Sequence, residues 1–174
     1  MELLKEIREK DAYPNSQSNK IPQYKYRKAV RAVVVDDENN VALLHVSNHN
    51  YYKLPGGGIE DGEEIEVALN RECLEEAGCN ITIIGEVGRI IEYRDRWNTE
   101  QESYCYIARL KGEKGIQNLQ GYEIDAGFKV VWVGIDEAIE LVKNSNPNTY
   151  DGPFIIIRDT ALLTKAKSLW QTKL

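Results

Sequence analysis

The sequence predicts an α/β protein in which one β-sheet lies between helices. Two runs rich in valine and leucine, 29–35 and 41–47, flank the turn-forming letters DDENN, which is typical of two paired strands. Helical stretches at 63–77, 136–143 and 154–169 alternate with further strand-like stretches. Interleaved strands and helices favour a sheet covered on both faces. The 174 residues fit one domain with a core of its own.

The individual elements follow in chain order. Residues 1–10 are highly charged and predict a short helix that stops near Pro14, followed by a polar tether. Strands are expected at 29–35, 41–47, 51–54, 81–93, 103–110 and 128–133. Gly78 is expected to end the helix that begins near Glu63, because glycine tolerates the left-handed backbone at that position. Asp136 is expected to cap the helix that ends near Lys143.

Bulk composition excludes several classes of protein. A net charge of −6 argues against a broad basic face for nucleic acid. Three cysteines without a C-x-x-C spacing suit a reducing compartment. The chain has no apolar run near the ~20 residues that a membrane span needs, and its first residues lack a secretory pattern. We therefore expect a cytoplasmic protein with no membrane partner and no stable nucleic-acid partner.

The segment 57–79 concentrates negative charge on one helix. It carries eight carboxylates against a single cation, Arg71. Glu72, Glu75 and Glu76 have the i, i+3, i+4 spacing and therefore project from one face. Two carboxylates ~6 Å apart repel by roughly 3 kcal/mol at an effective dielectric near 20. A solvated acidic face is the ordinary alternative, but Glu72 and Glu76 have no cation at i±4, which favours a site for Mg²⁺, an ion that prefers carboxylate oxygens.

The rest of that helix sets the expected orientation of the site. Val67, Leu74 and Ala77 are expected to anchor the opposite side to the core, with Ala68 leaving the acidic face unobstructed. Glycines at 56–58, just before the helix, allow a tight turn and a close approach to an ion. Arg71 can pair with Glu75 one turn on or reach back to Glu63, and we favour Glu63 as its partner in a structural clamp.

At these residues the sequence resembles the Nudix hydrolase family, whose signature is G-x5-E-x7-R-E-U-x-E-E-x-G-U with U a bulky apolar residue. The seven fixed letters are all present in register, as Gly57, Glu63, Arg71, Glu72, Glu75, Glu76 and Gly78. Cysteine stands at both U positions, and a free cysteine packs as a small hydrophobe. With its flanking strands and helix, the resemblance extends over about residues 24–145.

The resemblance implies a Nudix-type α/β/α sandwich with a mixed β-sheet and short additional N-terminal and C-terminal helices. We divide the chain into an N-terminal helix and tether at 1–23, the Nudix hydrolase domain at 24–145, and a C-terminal helix at 146–174 packed on or next to it. The implied chemistry is hydrolysis of a nucleoside diphosphate linked to another group. The implied ligands of Mg²⁺ or Mn²⁺ are Glu72, Glu75, Glu76 and the backbone carbonyl of Gly56.

Candidate residues for the remaining roles are less narrowly defined. Glu75 shares the acidic face and is one candidate general base; relatives often use a carboxylate on a later loop, for which Glu123 is the first choice and Asp125 the second. Lys53 and Arg94 (or Arg96) are expected to contact substrate phosphate. Tyr93 and Trp97 are expected to stack on a base. Ordinary packing or solvation is the alternative for each of these residues.

The substrate is assigned by elimination. Family markers for the ADP-ribose, dinucleoside polyphosphate and coenzyme A classes are absent, which leaves a (deoxy)nucleoside triphosphate, with oxidised nucleotides included. The alternatives are an ADP-ribose or nucleotide-sugar pyrophosphatase and a non-catalytic regulator that senses nucleotides. The C-terminal helix can serve as the last layer of the domain or as a dimer face, so a monomer and a homodimer are both expected states.

Overall fold

The computed structural model describes residues 1–16 and 23–171. Within these ranges the strands are β1 Leu3–Ile7, β2 Lys25–Val35, β3 Asn40–Val46, β4 Tyr51–Lys53, β5 Asn80–Arg94, β6 Thr99–Lys111 and β7 Phe128–Gly134. The helices are α1 Glu9–Ala12, α2 Ile65–Ala77, α3 Tyr122–Asp125, α4 Ile135–Lys143 and α5 Gly152–Gln171. Short 3₁₀ turns at Ser47–His49 and Asp95–Trp97 join strands.

The strands form one mixed sheet in the order β1-β5-β6-β2-β3-β4, with β7 also paired to β3. The pairs β1/β5 and β2/β6 are parallel, whereas β5/β6, β2/β3, β3/β4 and β3/β7 are antiparallel. The predicted α/β class with a mixed sheet is confirmed. No helix in the described part of the chain is long and apolar enough to span a bilayer.

The two faces of the sheet carry separate apolar clusters because side chains alternate along each strand. On β2, Val33 and Val35 pack with residues of α4 and α5, while Val30, Ala32 and Val34 pack with residues of α2. Phe154, Leu162 and Leu163 of α5 are fully buried in the first cluster. The C-terminal helix is therefore one of the layers that cover the sheet.

Two local predictions of helix position need correction. The helix expected over residues 1–10 is wrong: β1 pairs in parallel with β5 and buries Ile7 completely, and only the four residues of α1 are helical. This long-range pairing overrides the local helical preference. The prediction that Asp136 caps α4 is also wrong, because Asp136 lies in the first turn of that helix and its N-cap is Gly134. The expected tether runs from 14 to 22, and 17–22 lie outside the described residues.

Candidate active site

A glycine loop at 56–58 lies between β2 and α2. The backbone N–H of Val30 donates to the Gly57 carbonyl at 2.9 Å, and that of Ala32 donates to Pro55 at 3.0 Å. A Cβ on Gly56, whose φ is 134°, would lie 2.1 Å from the Val30 carbonyl oxygen. A Cβ on Gly57 would lie 2.4 Å from Oε1 of Glu72. Only glycine allows the strand and the helix carboxylate to approach the loop this closely.

Helix α2 turns its glutamates inward. Glu72 and Glu76 are only 6% and 3% exposed, whereas Val67 and Leu74 are 58% and 47% exposed. The prediction that Val67 and Leu74 anchor the helix is therefore wrong. The residues that anchor it to the core are Ala68, Leu69, Cys73 and Ala77. The two carboxylates can be buried because backbone N–H groups and cations compensate for the lost water. The predicted helix end at Gly78 is confirmed, since Gly78 has a left-handed φ of 64°.

Glu76 is held by the loop and by Lys53. Its Oε2 accepts the Gly56 N–H at 2.7 Å, and its Oε1 accepts Nζ of Lys53 at 2.6 Å. The same ammonium lies 3.3 Å from the Gly56 carbonyl oxygen. Lys53, expected to contact substrate phosphate, is buried and paired with this carboxylate. The ammonium thus bridges two of the oxygens that the sequence predicts as metal ligands.

Arg71 joins the loop to three glutamates. Its Nε and Nη2 each donate to the Glu63 carboxylate at 2.9 Å, and Nη2 also donates to the Gly58 carbonyl at 3.0 Å. Its Nη1 donates to Glu72 at 2.8 Å and to Glu75 at 3.4 Å. The favoured Glu63 contact and the alternative Glu75 contact are thus both present. Hydrogen bonding by Arg71 lowers the pKa of Glu63 to about 2, and the same contact raises the pKa of Arg71.

The oxygen groups around the loop match a hard divalent cation in chemistry. Glu72 lies directly against Gly57, and one ammonium already binds Glu76 together with the Gly56 carbonyl oxygen. Within residues 1–16 and 23–171, no three acidic, histidine or cysteine side chains converge in a geometry ready to hold a metal ion. The carboxylates of Glu72, Glu75 and Glu76 instead face Lys53 and Arg71. These glutamates fit a divalent cation once the Lys53 ammonium has moved away from Glu76.

The candidate bases occupy different surroundings. Glu75 is half-buried and contacts Arg71. Glu123 lies in α3, and its Oε2 accepts the N–H of Gln120 at 3.0 Å; Asp125, at the end of α3, is exposed. Among the described residues no hydrogen bond or ion pair joins Glu123 to the glutamates of α2. The loop that leads to α3 is nevertheless tied to that helix, because Asn118 donates its N–H to the Glu75 carbonyl at 2.8 Å.

The other expected substrate contacts are spread along the end of β5. Tyr93 is half-buried, and its ring packs 5.3 Å from that of Tyr24 and lies under the guanidinium of Arg8. Arg94 is only 9% exposed and pairs with Glu92 and Asp151. Trp97 is 51% exposed and donates its Nε1–H to Asp151 at 3.1 Å. Of the two aromatic residues expected to stack on a base, Trp97 has the more exposed ring.

A buried ionic network behind the loop was missed from the sequence. Arg158 and Asp159 of α5 are fully buried and paired, and Arg158 also reaches Glu92 on β5. Asp159 accepts the N–H of Leu54, next to the glycine loop, at 2.8 Å. Burial alone raises the pKa of Glu92, but the charges of Arg158 and Arg94 outweigh burial and lower it to about 2. The available signal was an arginine–aspartate pair inside the mostly apolar first half of this helix, residues 153–163.

Comparison with known proteins gives matches along most of the chain. A model of the NUDIX domain matches residues 25–152. An RNA pyrophosphohydrolase of Sulfurovum sp. is 34% identical over an alignment of 131 residues; the match covers 67% of this chain and 83% of that protein. Diphosphoinositol polyphosphate phosphohydrolase 2 of Rattus norvegicus is 27% identical over an alignment of 127 residues; the match covers 71% of this chain and 66% of the rat protein.

Solved structures agree on the fold. A NUDIX hydrolase from Nitrosomonas europaea matches with a TM-score of 0.61 at 19% sequence identity. The match covers 83% of this chain and 90% of that one. At this level of identity the likeness concerns the arrangement of the sheet and its helices.

Proposed function

Because the chain belongs to the NUDIX domain family and is a hydrolase of phosphoanhydrides, we propose that it is a Mg²⁺-dependent pyrophosphohydrolase of nucleoside triphosphates. Its substrates would include deoxynucleotides and oxidised nucleotides, and its products would be a monophosphate and pyrophosphate. The observation that carries this proposal is the packing of Glu72 and Glu76 against the glycine loop at 56–58. This arrangement gathers oxygen ligands beside a backbone that a phosphate chain can approach closely.

Glu72, Glu75, Glu76 and the Gly56 carbonyl would hold the divalent ion, with Mn²⁺ able to replace Mg²⁺. When bound, such an ion neutralises diphosphate oxygens and lowers the pKa of a coordinated water. Lys53 has to release Glu76 and the Gly56 carbonyl to make both oxygens available. Arg71 then keeps the Glu72 and Glu75 carboxylates oriented, because it contacts both from one guanidinium group.

The proton acceptor for the attacking water is proposed to be Glu75 or Glu123. Glu75 supports this role by its position on the same helix as the metal ligands and by its partial exposure. Glu123 supports it by lying on a loop that is tied to the end of α2. The variants Glu75→Gln and Glu123→Gln separate the two candidates. Replacing the true base removes most of kcat. Replacing the other residue leaves kcat unchanged, except for any loss caused by weaker metal binding.

A turnover panel tests the proposed reaction. The enzyme is incubated with Mg²⁺ and nucleoside triphosphates, ADP-ribose, nucleotide sugars or dinucleoside polyphosphates, with Glu76→Gln as the matched inactive control. We expect monophosphate and pyrophosphate from the triphosphates. Higher kcat/KM on ADP-ribose or a nucleotide sugar would replace the proposed substrate. Tight nucleotide binding without any phosphate product would favour the sensor alternative instead.

A second candidate substrate is RNA with a 5′-triphosphate end. The name of the Sulfurovum relative, RNA pyrophosphohydrolase, supports it, and the scissile anhydride is the same as in a nucleoside triphosphate. Short 5′-triphosphorylated RNA is compared with the nucleoside triphosphate of its first base. A kcat/KM at least about tenfold higher on RNA, equivalent to roughly 1.4 kcal/mol, would make RNA the preferred substrate.

A further inference from the structure

An arginine cluster lies on the α5 side of the sheet, across the glycine loop from the acidic helix. Arg27 and Arg31 of β2 share this face, because they are four residues apart on one strand. Their register partners on β6 are Gln101 and Cys105. Arg94 of β5 lies on the same side, where it pairs with Glu92. We call Arg27, Arg31 and Arg94 the arginine cluster.

Two members of the cluster are buried with incomplete hydrogen bonding. Arg31 and Arg94 are 6% and 9% exposed, and the Nε of each is buried without a hydrogen-bond partner. Arg27 is exposed, and its guanidinium makes no hydrogen bond or ion pair with any residue in the described ranges, so it is accessible to a ligand. A buried N–H group without a partner costs free energy comparable to a lost hydrogen bond. Such groups are therefore ready to bind an acceptor supplied by a ligand.

The electrostatic environment of Arg27 and Arg31 also favours an anion. The guanidinium groups of the arginine cluster and Arg158 share this region with five carboxylates, those of Glu72, Glu76, Glu92, Asp151 and Asp159. Burial lowers the pKa of Arg31 to about 10, and the positive charge of Arg158 contributes to this shift. Burial and the charge of Arg94 likewise lower the pKa of Arg27. At Arg27 and Arg31, burial and a like charge thus outweigh the attraction of the nearby carboxylates, and a bound anion would offset this cost.

The cluster reaches the same loop as the glutamates. A Cβ on Gly58 would lie 2.8 Å from Nη2 of Arg27, and Nη1 of Arg31 lies 3.4 Å from the Gly57 carbonyl oxygen. Glu72 contacts the same Gly57 through its carboxylate. Groups suited to phosphate and groups suited to a divalent cation thus meet at adjacent glycines.

We propose that Arg27, Arg31 and Arg94 form an anion subsite for the terminal phosphates of the substrate's polyphosphate chain. This inference rests on the proposed function and extends it, because it identifies the part of the substrate that becomes pyrophosphate. Arginine binds phosphate oxygens through paired N–H donors, and the unpaired donors of the cluster provide them. The subsite selects a substrate with a third phosphate over one whose second phosphate is esterified by a neutral group.

Binding of inorganic tripolyphosphate to the full chain tests the subsite without turnover. The titration is followed by calorimetry with EDTA present, so that a divalent cation cannot mediate binding. We expect Arg27→Ala to weaken binding at least about tenfold, as the loss of a charge-assisted hydrogen bond implies. Lys28→Ala is the matched control, because Lys28 is, like Arg27, an exposed cation but lies on the opposite face of the same strand. We expect less than a twofold change.

The possible outcomes separate the inference from the proposed function. Equal weakening in Arg27→Ala and Lys28→Ala, or no weakening in Arg27→Ala, would overturn the subsite, because general electrostatic attraction would then explain binding. Arg27→Lys is expected to recover part of the affinity. If wild-type protein binds tripolyphosphate through Arg27 but cleaves no triphosphate, the subsite stands and the proposed function fails. If turnover is present and Arg27→Ala leaves KM and kcat unchanged, the subsite fails alone.

Discussion

Asp159 accepts a hydrogen bond from the backbone N–H of Leu54 at 2.8 Å, although the two residues are 105 positions apart. Leu54 immediately precedes Pro55 and the glycine loop, and both partners are fully buried. Asp159 is in turn paired with Arg158, which reaches Glu92 on β5. Helix α5 therefore fixes the start of the glycine loop, which contacts Glu72 and Glu76.

Removing this carboxylate is expected to destabilise the protein and loosen the site. Asp159→Ala leaves Arg158 buried with only Glu92 and leaves the Leu54 N–H without its acceptor. Breaking one partner of a buried ion pair costs about 3 kcal/mol or more. Urea unfolding measures the stability, and a Mn²⁺ titration followed by electron paramagnetic resonance measures the metal affinity, which we expect to fall as well.

Asp136→Asn is the matched control for that variant. Asp136 forms an ion pair with Lys167 of α5, but it is largely exposed. Exposed ion pairs contribute below about 1 kcal/mol, so little change in stability and none in metal affinity is expected. Unchanged Mn²⁺ affinity in Asp159→Ala would show that the helix supports the fold without positioning the loop.

A single methyl group on Gly57 is expected to reduce activity strongly. In Gly57→Ala the new Cβ would lie 2.4 Å from the Glu72 carboxylate, which has to move out of its position. We expect turnover to fall by about 10- to 100-fold or more, since changes that only disturb the partners of metal ligands already cost that much. Gly134→Ala, where an added Cβ meets no atom within 4 Å, is expected to retain turnover. Equal activity of the two variants would contradict the proposed role of Glu72.

The pairing of Arg71 with Glu63 predicts a specific pH dependence. The pKa of Glu63 is lowered from 4.5 to about 2, so the folded state binds its proton less tightly than the unfolded state does. Its contribution to stability is complete above about pH 5 and is lost as the pH falls through 2. The free energy of unfolding of wild type relative to Arg71→Ala is therefore expected to be constant near neutrality and to shrink on acidification.

Urea unfolding of both proteins between neutral pH and pH 3 measures this difference. Glu92, whose pKa is also lowered to about 2, titrates in the same window, but it is present in both proteins and cancels in the difference. A difference that stays constant through the whole window would refute the assigned ion pair. Loss of Mn²⁺ affinity in Arg71→Ala is expected at any pH, because Glu72 and Glu75 lose their common donor.

Replacing Lys53 is expected to separate folding from metal affinity. Lys53→Met removes the ammonium from Glu76 and leaves a buried carboxylate with only the Gly56 N–H as partner. The metal-free protein should lose about 3 kcal/mol of stability, and Mn²⁺ should bind more tightly because no ammonium has to be displaced. Thermal melting with EDTA or Mn²⁺ measures both effects. Weaker Mn²⁺ binding would mean that Lys53 assists the site instead of competing for it.

Local patterns predicted the α/β class, the end of α2 at Gly78 and the contact between Arg71 and Glu63, whereas the mixed sheet followed from the family resemblance. The local patterns failed where contacts with residues distant in sequence determine the local structure. Residues 3–7 look helical by charge, yet they pair with β5 more than eighty positions away. The apolar character of Val67 and Leu74 predicts that they face the core, yet both are exposed, and the buried Glu72 and Glu76 lie on the core-facing side of the helix. Burial of Glu72 and Glu76 depends on Gly56, Lys53 and Arg71, which no helical periodicity reveals.

The same limit applies to the cations. Lys53 precedes the glycines and suggested a phosphate contact, but its partner Glu76 lies 23 residues away on another element. Arg27 received no role because a single arginine on a strand has no distinctive spacing. Its lack of a partner and its position at Gly58 are visible only in the folded chain.

The bond between Leu54 and Asp159 also sets the order in which a newly made chain can acquire its site. The glycine loop and α2 leave the ribosome well before α5, whose Asp159 follows Leu54 by 105 residues. Until that helix has been synthesised and has docked, the loop lacks one of its anchors. A nascent or prematurely terminated chain can thus contain every residue of the acidic signature and still lack the loop geometry that its activity requires.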